Sequence, residues 1–299
     1  MKVGVGRKDG LDSLSRGRAI FAALLLSLLL ALSGGAPALA AEPSYVSLGD
    51  SYTAGPVIPL QIPPYGCLKS DHNYPHLAAP ALKEPAFRDP SCSGAKTDNM
   101  TQPQDVDPDG PNPPQFDSLD SNTRIVSIGI GGNDIGFTEI AENCSTADPY
   151  GHPCQDRYVV DGHDIISERI AATAPKVAAV LQGIHARSSK AAVYVVNYLP
   201  IFPETGNGCW PQMPIAYDDV PYLRAKEKEL NQMLADQAAA NGDRLVDAYS
   251  AGIGHDACEL PTVRWVEPAV PTSPAAPIHP NEAGMEGTAR ALLAAARAK

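Results

Sequence analysis

The segment Tyr45–Tyr52, with the sequence YVSLGDSY, is the most informative about the fold of this 299-residue chain. Its first four residues form a short, mostly apolar run that predicts a β-strand, and Gly49, Asp50 and Ser51 follow directly. A strand that ends in this way places one serine at the carboxyl edge of a parallel sheet, where α/β proteins bind their ligands. The segment therefore indicates an α/β fold with Ser51 as a candidate functional residue.

Strand and helix patterns alternate after this segment. The predicted strands, which share short runs of β-branched or apolar residues, are Arg124–Ile130, Ala191–Tyr198 and Arg244–Ala248. The predicted helices, with apolar residues every three or four positions, run from Ile166 to Ile184, from Asp219 to Gly242 and from Asn281 to about Ala296. Pro175 predicts a kink or a break in the first of these helices. The alternation predicts a three-layer α/β/α fold with a parallel sheet covered on both faces.

The first forty residues have the pattern of an export signal. Basic residues precede the apolar run Ala19–Leu32, and Ala38–Ala40 offers a cleavage site of small residues. We predict a signal peptide at 1–40, a single domain at 41–299 and a secreted protein. An uncleaved membrane anchor is the alternative interpretation.

The chain is strongly acidic once this segment is set aside. Removal of 1–40 takes away five basic and two acidic residues, which leaves 18 basic and 32 acidic residues and a net charge of −14. Such a charge argues against nucleic acid and anionic membrane surfaces as partners.

Six cysteines lie in the part predicted to be exported, namely Cys67, Cys92, Cys144, Cys154, Cys209 and Cys258. An even number in an oxidising compartment indicates disulfides, although spacing alone leaves fifteen pairings open. The simplest pairing is sequential, because each pair then brackets a loop-like segment: Cys67–Cys92, Cys144–Cys154 and Cys209–Cys258. A zinc site is disfavoured, since the sequence contains no Cys-x-x-Cys.

Long loops are predicted at the carboxyl edge of the sheet, where they typically form a binding cleft. They are Pro56–Asn73, Thr101–Asp117, Glu142–Asp161 and Gly206–Tyr217. Apolar residues in them, such as Trp210 and Met213, would suit an acyl chain or ordinary loop packing equally well.

Four candidate groups for hydrolytic chemistry occur in order along the chain. A serine hydroxyl such as that of Ser51 needs a neighbouring base, and His279 lies just before a predicted helix whose N-terminus favours the neutral imidazole. The backbone amides of Ser51 and Gly94 and the side-chain amide of Asn133 are candidate donors to an oxyanion. Taken singly, these residues have more ordinary roles in caps, turns and surfaces. Their order, mostly at predicted element ends, favours serine ester hydrolysis.

Four sequence blocks resemble the SGNH hydrolases, also called GDSL lipases and esterases: Gly49-Asp50-Ser51, Ser93-Gly94-Ala95, Gly131-Gly132-Asn133-Asp134 and His279-Pro280-Asn281. The resemblance extends from about Tyr45 to the C-terminus and implies a flavodoxin-like fold. It implies that Ser51 is the nucleophile and His279 its base. Gly94 and Asn133 then join the Ser51 amide in the oxyanion hole. Sequential cysteine pairs, and Tyr52 where leucine is usual, are similar to the secreted bacterial lipase and phospholipase branch.

The resemblance implies a secreted serine esterase or lipase that hydrolyses acyl esters of lipids through an acyl-enzyme. No metal or organic cofactor is implied, and the expected partner is a small-molecule or lipid ester. We expect a monomer without a stable membrane anchor after signal cleavage. The alternatives are an acetyl esterase acting on acetylated polysaccharide, a metal-dependent hydrolase and a non-catalytic secreted binding protein.

One position departs from the family pattern. The family usually places an aspartate three residues before the histidine, and Ala276 occupies that position. Some secreted members are similar in using a main-chain carbonyl to orient the histidine. We therefore predict a Ser51–His279 dyad in which the carbonyl of Ala276 accepts from Nδ1 of His279, with Asp256 as an alternative partner.

Overall fold

The computed structural model describes Glu42 and residues 44–298, so the predicted signal peptide at 1–40 lies outside the described residues. The strands are β1 (Ser44–Gly49), β2 (Gln61–Ile62), β3 (Lys69–Ser70), β4 (Ala86–Arg88), β5 (Thr123–Gly129), β6 (Val159–Val160), β7 (His163–Asp164), β8 (Ala192–Val196) and β9 (Arg244–Val246). The α-helices are α1 (Ser51–Ala54), α2 (Tyr74–Leu82), α3 (Phe137–Cys144), α4 (Pro153–Tyr158), α5 (Ile165–Arg187), α6 (Val220–Asn241), α7 (Ala248–Ala251) and α8 (Glu282–Arg297).

The central sheet of the described chain is parallel and has the strand order β4-β1-β5-β8-β9. The chain leaves β1 toward β4 on one side and leaves β5 toward β8 on the other. The order therefore reverses between β1 and β5, which opens a crevice at their carboxyl ends. This arrangement confirms the predicted flavodoxin-like α/β fold.

Helices cover both faces of this sheet. Helix α5 packs against α6, and α2 packs against α8. Connections between parallel strands are right-handed, so connections that leave the switch point in opposite directions lie on opposite faces of the sheet. The two helix pairs therefore cover opposite faces. No helix in the described part of the chain has both the length and the apolarity that a membrane span requires.

Helix α5 continues through Pro175, where a kink or break was one expectation. Pro175 and Ala171 both lie on the exposed face of the helix. The carbonyl of Ala171, which loses its helical partner at a proline four residues later, therefore faces water. The buried residues Ile170 and Val177 on the other face keep the helix packed on the core.

The start of helix α6 is tied to another helix. Asp219 precedes α6, but its carboxylate accepts hydrogen bonds of 2.8 Å from the backbone amides of Cys154 and Gln155. It thereby caps α4 instead of its own helix. This contact joins the predicted loop Glu142–Asp161 to the segment that enters α6.

The six cysteines form three sequential disulfides, Cys67–Cys92, Cys144–Cys154 and Cys209–Cys258. The pairing is the simplest of those that the sequence left open. Each bridge fastens a long loop at the carboxyl edge of the sheet.

Candidate active site

The turn after β1 places Ser51 at the first position of the short helix α1. The carboxylate of Asp50 caps this helix by accepting a hydrogen bond of 2.9 Å from the amide of Tyr52. Gly49 is required here, because a Cβ on this residue would lie 2.6 Å from the carbonyl oxygen of Gly129. The two glycines let β1 and β5 end side by side, and Ser51 emerges at the crevice between them.

Ser51 and His279 are 228 positions apart in sequence and are in direct contact, since Ser51 Oγ lies 2.8 Å from His279 Nε2. His279 Nδ1 lies 2.8 Å from the carbonyl oxygen of Pro277. A carbonyl can only accept, so Nδ1 carries the proton and Nε2 presents its lone pair to the serine hydroxyl. This tautomer is the one that a general base requires.

The prediction that Ala276 orients the histidine is wrong by one residue, because the partner of Nδ1 is the carbonyl of Pro277. The carbonyl of Ala276 instead accepts from the backbone amide of His279 at 3.2 Å. Ile278, between the proline and the histidine, has a φ of +60°, and this left-handed residue turns the chain so that the Pro277 carbonyl faces the ring. Asp256, the alternative partner, accepts from the amide of Cys258.

A buried ion pair supports the loop that carries His279. Arg264 and Glu267 are 2.7 Å apart and both are buried. Glu267 also accepts from Asn281 Nδ2 at 2.8 Å, while its backbone amide donates to the carbonyl of His279. Burial disfavours the charged carboxylate, but the hydrogen bonds from Arg264, Asn281 and two loop amides outweigh it and lower the pKa of Glu267 to about 2.

The surroundings of His279 favour its neutral form. Burial lowers the pKa of His279 below its ordinary value, and the bond to the Pro277 carbonyl opposes this shift only in part. A neutral imidazole at physiological pH can accept the proton of Ser51.

The candidate oxyanion donors lie on neighbouring loops. Asn133 lies in the loop after β5. Its side-chain amide donates one hydrogen bond of 3.0 Å to the carbonyl of Ala95, the residue after Gly94. An amide group has two N–H donors, so the second is available for a ligand. Within residues 44–298 the backbone amides of Ser51 and Gly94 have no protein acceptor. Gly94 has a φ of +80° and is exposed, which suits an amide that must approach a ligand closely.

Asp134 links the loop of Gly94 to the loop of Asn133, a role that the sequence interpretation did not assign. Its carboxylate accepts from the backbone amide of Thr97 at 3.0 Å and from the Thr97 hydroxyl at 2.5 Å. Together with the bond from Asn133 to Ala95, this fixes the spacing between Gly94 and Asn133.

Tyr198 is a second residue that sequence reasoning missed. Its buried hydroxyl accepts from the amide of Gly132 at 2.7 Å and donates to Asp50 at 2.6 Å. The strand that was predicted to include Tyr198 ends at Val196, and the chain then turns toward the crevice. Burial, opposed by the bond from Tyr198, raises the pKa of Asp50 to about 7. In the sequence, the signal that could have indicated this role was a tyrosine at the end of a predicted strand.

A largely apolar pocket of about 870 Å³, including its open mouth, begins at Ser51. Its apolar lining comes from several distant parts of the chain and includes Ile135, Phe137, Ile140 and Ala141; Ile166; Ile201 and Phe202; Met213 and Ile215; Leu223 and Leu230. Met213 was one of the loop residues predicted to suit either an acyl chain or loop packing, and it lines this pocket. Asn133 and Ile278 lie at the same pocket, next to the serine–histidine pair.

Sequence comparison shows similarity over most of the chain. A family model described as the GDSL-like lipase/acylhydrolase family matches residues 47–286. A protein named lipase 2 from Streptomyces coelicolor is 37% identical over 269 residues, which cover 87% of this chain and 88% of that protein. A lipase from Streptomyces rimosus is 30% identical over 250 residues, with 82% and 86% covered.

Solved structures agree with these matches. The crystal structure of phospholipase A1 from Streptomyces albidoflavus has a TM-score of 0.71 at 26% identity and covers 85% of this chain and 100% of that chain. An extracellular lipase from Streptomyces rimosus has a TM-score of 0.70 at 26% identity, with 85% and 99% covered. The chain therefore belongs to the GDSL-like lipase/acylhydrolase family and is a carboxylic ester hydrolase.

Proposed function

We propose that the protein is a secreted lipase or esterase that cleaves acyl esters of lipids with a Ser51–His279 dyad. The observation that carries this proposal is the 2.8 Å contact between Ser51 Oγ and His279 Nε2 at the mouth of the apolar pocket. The names of the relatives, which include lipases and a phospholipase A1, support a lipid substrate.

In the acylation half-reaction, His279 Nε2 takes the proton of Ser51 as Oγ attacks the ester carbonyl carbon. Negative charge develops on the carbonyl oxygen, where the amides of Ser51, Gly94 and Asn133 donate to it. The tetrahedral intermediate collapses when the C–O bond to the alcohol breaks. His279 then gives its proton to the departing alkoxide, and the acyl group remains on Ser51.

In the deacylation half-reaction, a water molecule takes the place of the alcohol. His279 removes a proton from this water, and the resulting hydroxide attacks the acyl-enzyme at the same carbon. Collapse releases the carboxylic acid and returns the proton to Ser51. The carbonyl of Pro277 holds Nδ1 and stabilises the imidazolium in both half-reactions, a task that a carboxylate performs in a Ser-His-Asp triad.

The apolar pocket is the proposed site of the acyl chain. Burial of each methylene group contributes about 0.8 kcal/mol, so a lining of this kind favours chains longer than acetate. Glu227 also lines the pocket, and burial raises its pKa to about 8. It is therefore mostly uncharged at neutral pH, which suits an apolar ligand.

Secretion is part of the proposal. Three disulfides are typical of proteins that fold in an oxidising compartment. The pattern at residues 1–40 supplies the expected export signal.

Hydrolysis of p-nitrophenyl esters from acetate to palmitate by Ala41–Lys299 and its Ser51→Ala variant tests the proposal. We expect turnover that depends on Ser51 and continues to long chains. Fluorophosphonate labelling of Ser51, followed by mass spectrometry, checks the nucleophile independently. Turnover restricted to acetate would favour the polysaccharide acetyl esterase, and absence of Ser51-dependent turnover and labelling would contradict the dyad.

A further inference from the structure

The side chain of Tyr52, the residue after Ser51, reaches across to the loop that carries His279. Its hydroxyl donates a hydrogen bond of 2.8 Å to the carbonyl oxygen of Ile278. Its ring lies 5.2 Å from the imidazole of His279, measured between centroids. One side chain therefore contacts both the histidine and the peptide group that precedes it.

Two aromatic neighbours hold the ring of Tyr52 in place. The ring of Tyr198 lies 5.1 Å away and that of Phe137 lies 6.4 Å away, both in edge-to-face geometry. Such pairs are favourable because the positive edge of one ring meets the negative face of the other. Tyr198 is in turn bonded to Asp50, so the ring of Tyr52 has a fixed position relative to the Ser51 turn.

The backbone that Tyr52 contacts is strained. Ile278 has a φ of +60°, which a β-branched side chain rarely adopts. The Pro277 carbonyl that binds His279 lies in the same loop and moves with it. That bond orients the ring within the loop but does not fix the loop relative to Ser51. The hydroxyl of Tyr52 supplies such a restraint from the side of the serine.

We propose that Tyr52 is a positioning residue, which holds the Ile278 peptide and the imidazole of His279 at hydrogen-bonding distance from Ser51. This role rests on the proposed dyad and extends it. In a triad, a carboxylate contacts the imidazole directly. Here a phenol hydroxyl acts on the neighbouring peptide group, while its ring packs on the imidazole.

Two substitutions separate the two contacts. Tyr52→Phe removes the hydrogen bond and keeps the ring, whereas Tyr52→Leu removes both. We expect kcat for p-nitrophenyl butyrate to fall about tenfold in Tyr52→Phe and about a hundredfold in Tyr52→Leu, because a displacement of about 1 Å costs about a hundredfold in rate. KM of Tyr52→Phe should stay within about twofold, since the pocket keeps its shape. The rate of fluorophosphonate labelling at Ser51 should fall in parallel with kcat.

Tyr45→Phe is the matched control. It removes another buried tyrosine hydroxyl, which lies 2.7 Å from Ser127 Oγ near the start of β1, away from the site. It should lower stability and leave kcat unchanged. Wild-type kcat and labelling rate in Tyr52→Phe, or an equal loss of kcat in Tyr45→Phe, would overturn the role of Tyr52 and leave the dyad in place. If the wild-type protein is not labelled at Ser51 and the Ser51→Ala variant keeps its activity, both the dyad and the role of Tyr52 are incorrect.

Discussion

The hydroxyl oxygen of Tyr198 lies 2.6 Å from Oδ2 of Asp50, although 148 positions separate the two residues in sequence. The same hydroxyl accepts the amide of Gly132, so it links the turn of Ser51 to the loop of Asn133. The proposed nucleophile and one proposed oxyanion donor are thus held at a fixed separation by a single buried phenol.

Tyr198→Phe should lower both stability and activity. It leaves the amide of Gly132 without its acceptor and Oδ2 of Asp50 without the tyrosine donor, and we expect a loss of about 1–3 kcal/mol in the free energy of unfolding by urea. The value of kcat/KM should fall because the Asn133 loop loses this support. Tyr194→Phe, which also removes a buried tyrosine hydroxyl but lies away from the site, should keep its activity. Equal activity losses in the two variants would contradict the link.

Asn133→Ala should lower kcat about 10²–10³-fold, the usual effect of removing one oxyanion donor. Its structural bond to the Ala95 carbonyl contributes only about 1 kcal/mol, so the folded protein should persist. Steady-state kinetics and thermal unfolding measure the two effects separately. Asn143→Ala, which loses a bond to the hydroxyl of Tyr158, serves as the control and should retain kcat. A kcat of Asn133→Ala within about threefold of wild type would remove Asn133 from the oxyanion hole.

The acid limb of kcat/KM should lie below the ordinary pKa of histidine. Burial lowers the pKa of His279 from 6.5, and only the neutral form can take the proton of Ser51. Activity should therefore persist as the pH falls through 6.5 and be lost at a lower pH. Asp50, with a pKa of about 7, can add a second inflection, so the profile is measured in Asp50→Asn as well. An acid-limb midpoint at or above 6.5 in both proteins would contradict the environment assigned to His279.

Glu267→Gln should destabilise the protein by about 3–5 kcal/mol at neutral pH, because it leaves Arg264 as a buried charge without a partner. The pKa of Glu267 is lowered from 4.5 to about 2. The folded state therefore binds its proton less readily than the unfolded chain does. The stabilisation is fully present above pH 4.5 and is lost as the pH falls toward 2.

Urea unfolding between pH 2 and pH 7 measures this dependence. The exposed pair of Arg290 and Glu286 provides the control, and Glu286→Gln should change stability by less than about 1 kcal/mol. If Glu267→Gln and wild type lose stability equally over this pH range, the assignment of the acid transition to Glu267 is incorrect.

Removal of the disulfides should destabilise the protein in the order of loop length. Sequence separations of 49, 25 and 10 residues predict losses of about 4, 3.5 and 2.7 kcal/mol for Cys209–Cys258, Cys67–Cys92 and Cys144–Cys154. Paired Cys→Ser variants and urea unfolding test this order.

The bridge Cys67–Cys92 should differ from the other two in its effect on activity. The backbone amide of Cys92 donates to the carbonyl of Gly49. The backbone amide of Ser93, the residue before Gly94, donates to the carbonyl of Cys67. Loss of this bridge should therefore lower kcat as well as stability. A wild-type kcat in the folded variant would contradict this difference.

The sequence predicted the residues that are marked by local patterns. Ser51 follows a strand, Asn133 follows a pair of glycines and His279 precedes a capped helix. Each of these signals involves residues only a few positions from the residue that it marks. The family pattern then placed them in one site. It failed at Ala276, because the direction of a carbonyl depends on the backbone angles between it and the histidine. The left-handed Ile278 made Pro277 the partner.

Residues that act through distant contacts carried no such local signal. In the sequence, Tyr198 has the pattern of a strand end and Asp134 that of a turn residue. Their roles depend on which carboxyl, amide or hydroxyl group lies opposite in space, and that is set by the packing of β1, β5 and β8.

Local sequence patterns predicted the alternation of strands and helices and indicated the candidate reactive groups, because periodicity, caps and glycine turns act over short distances. Only the packing of the folded chain shows which carbonyl holds His279, which hydroxyl joins Asp50 to Gly132, and how apolar residues from distant parts of the chain line one pocket. Those relationships depend on the register of parallel strands and on loop closure, and hydrogen-bond geometry is sensitive to shifts of a fraction of an ångström.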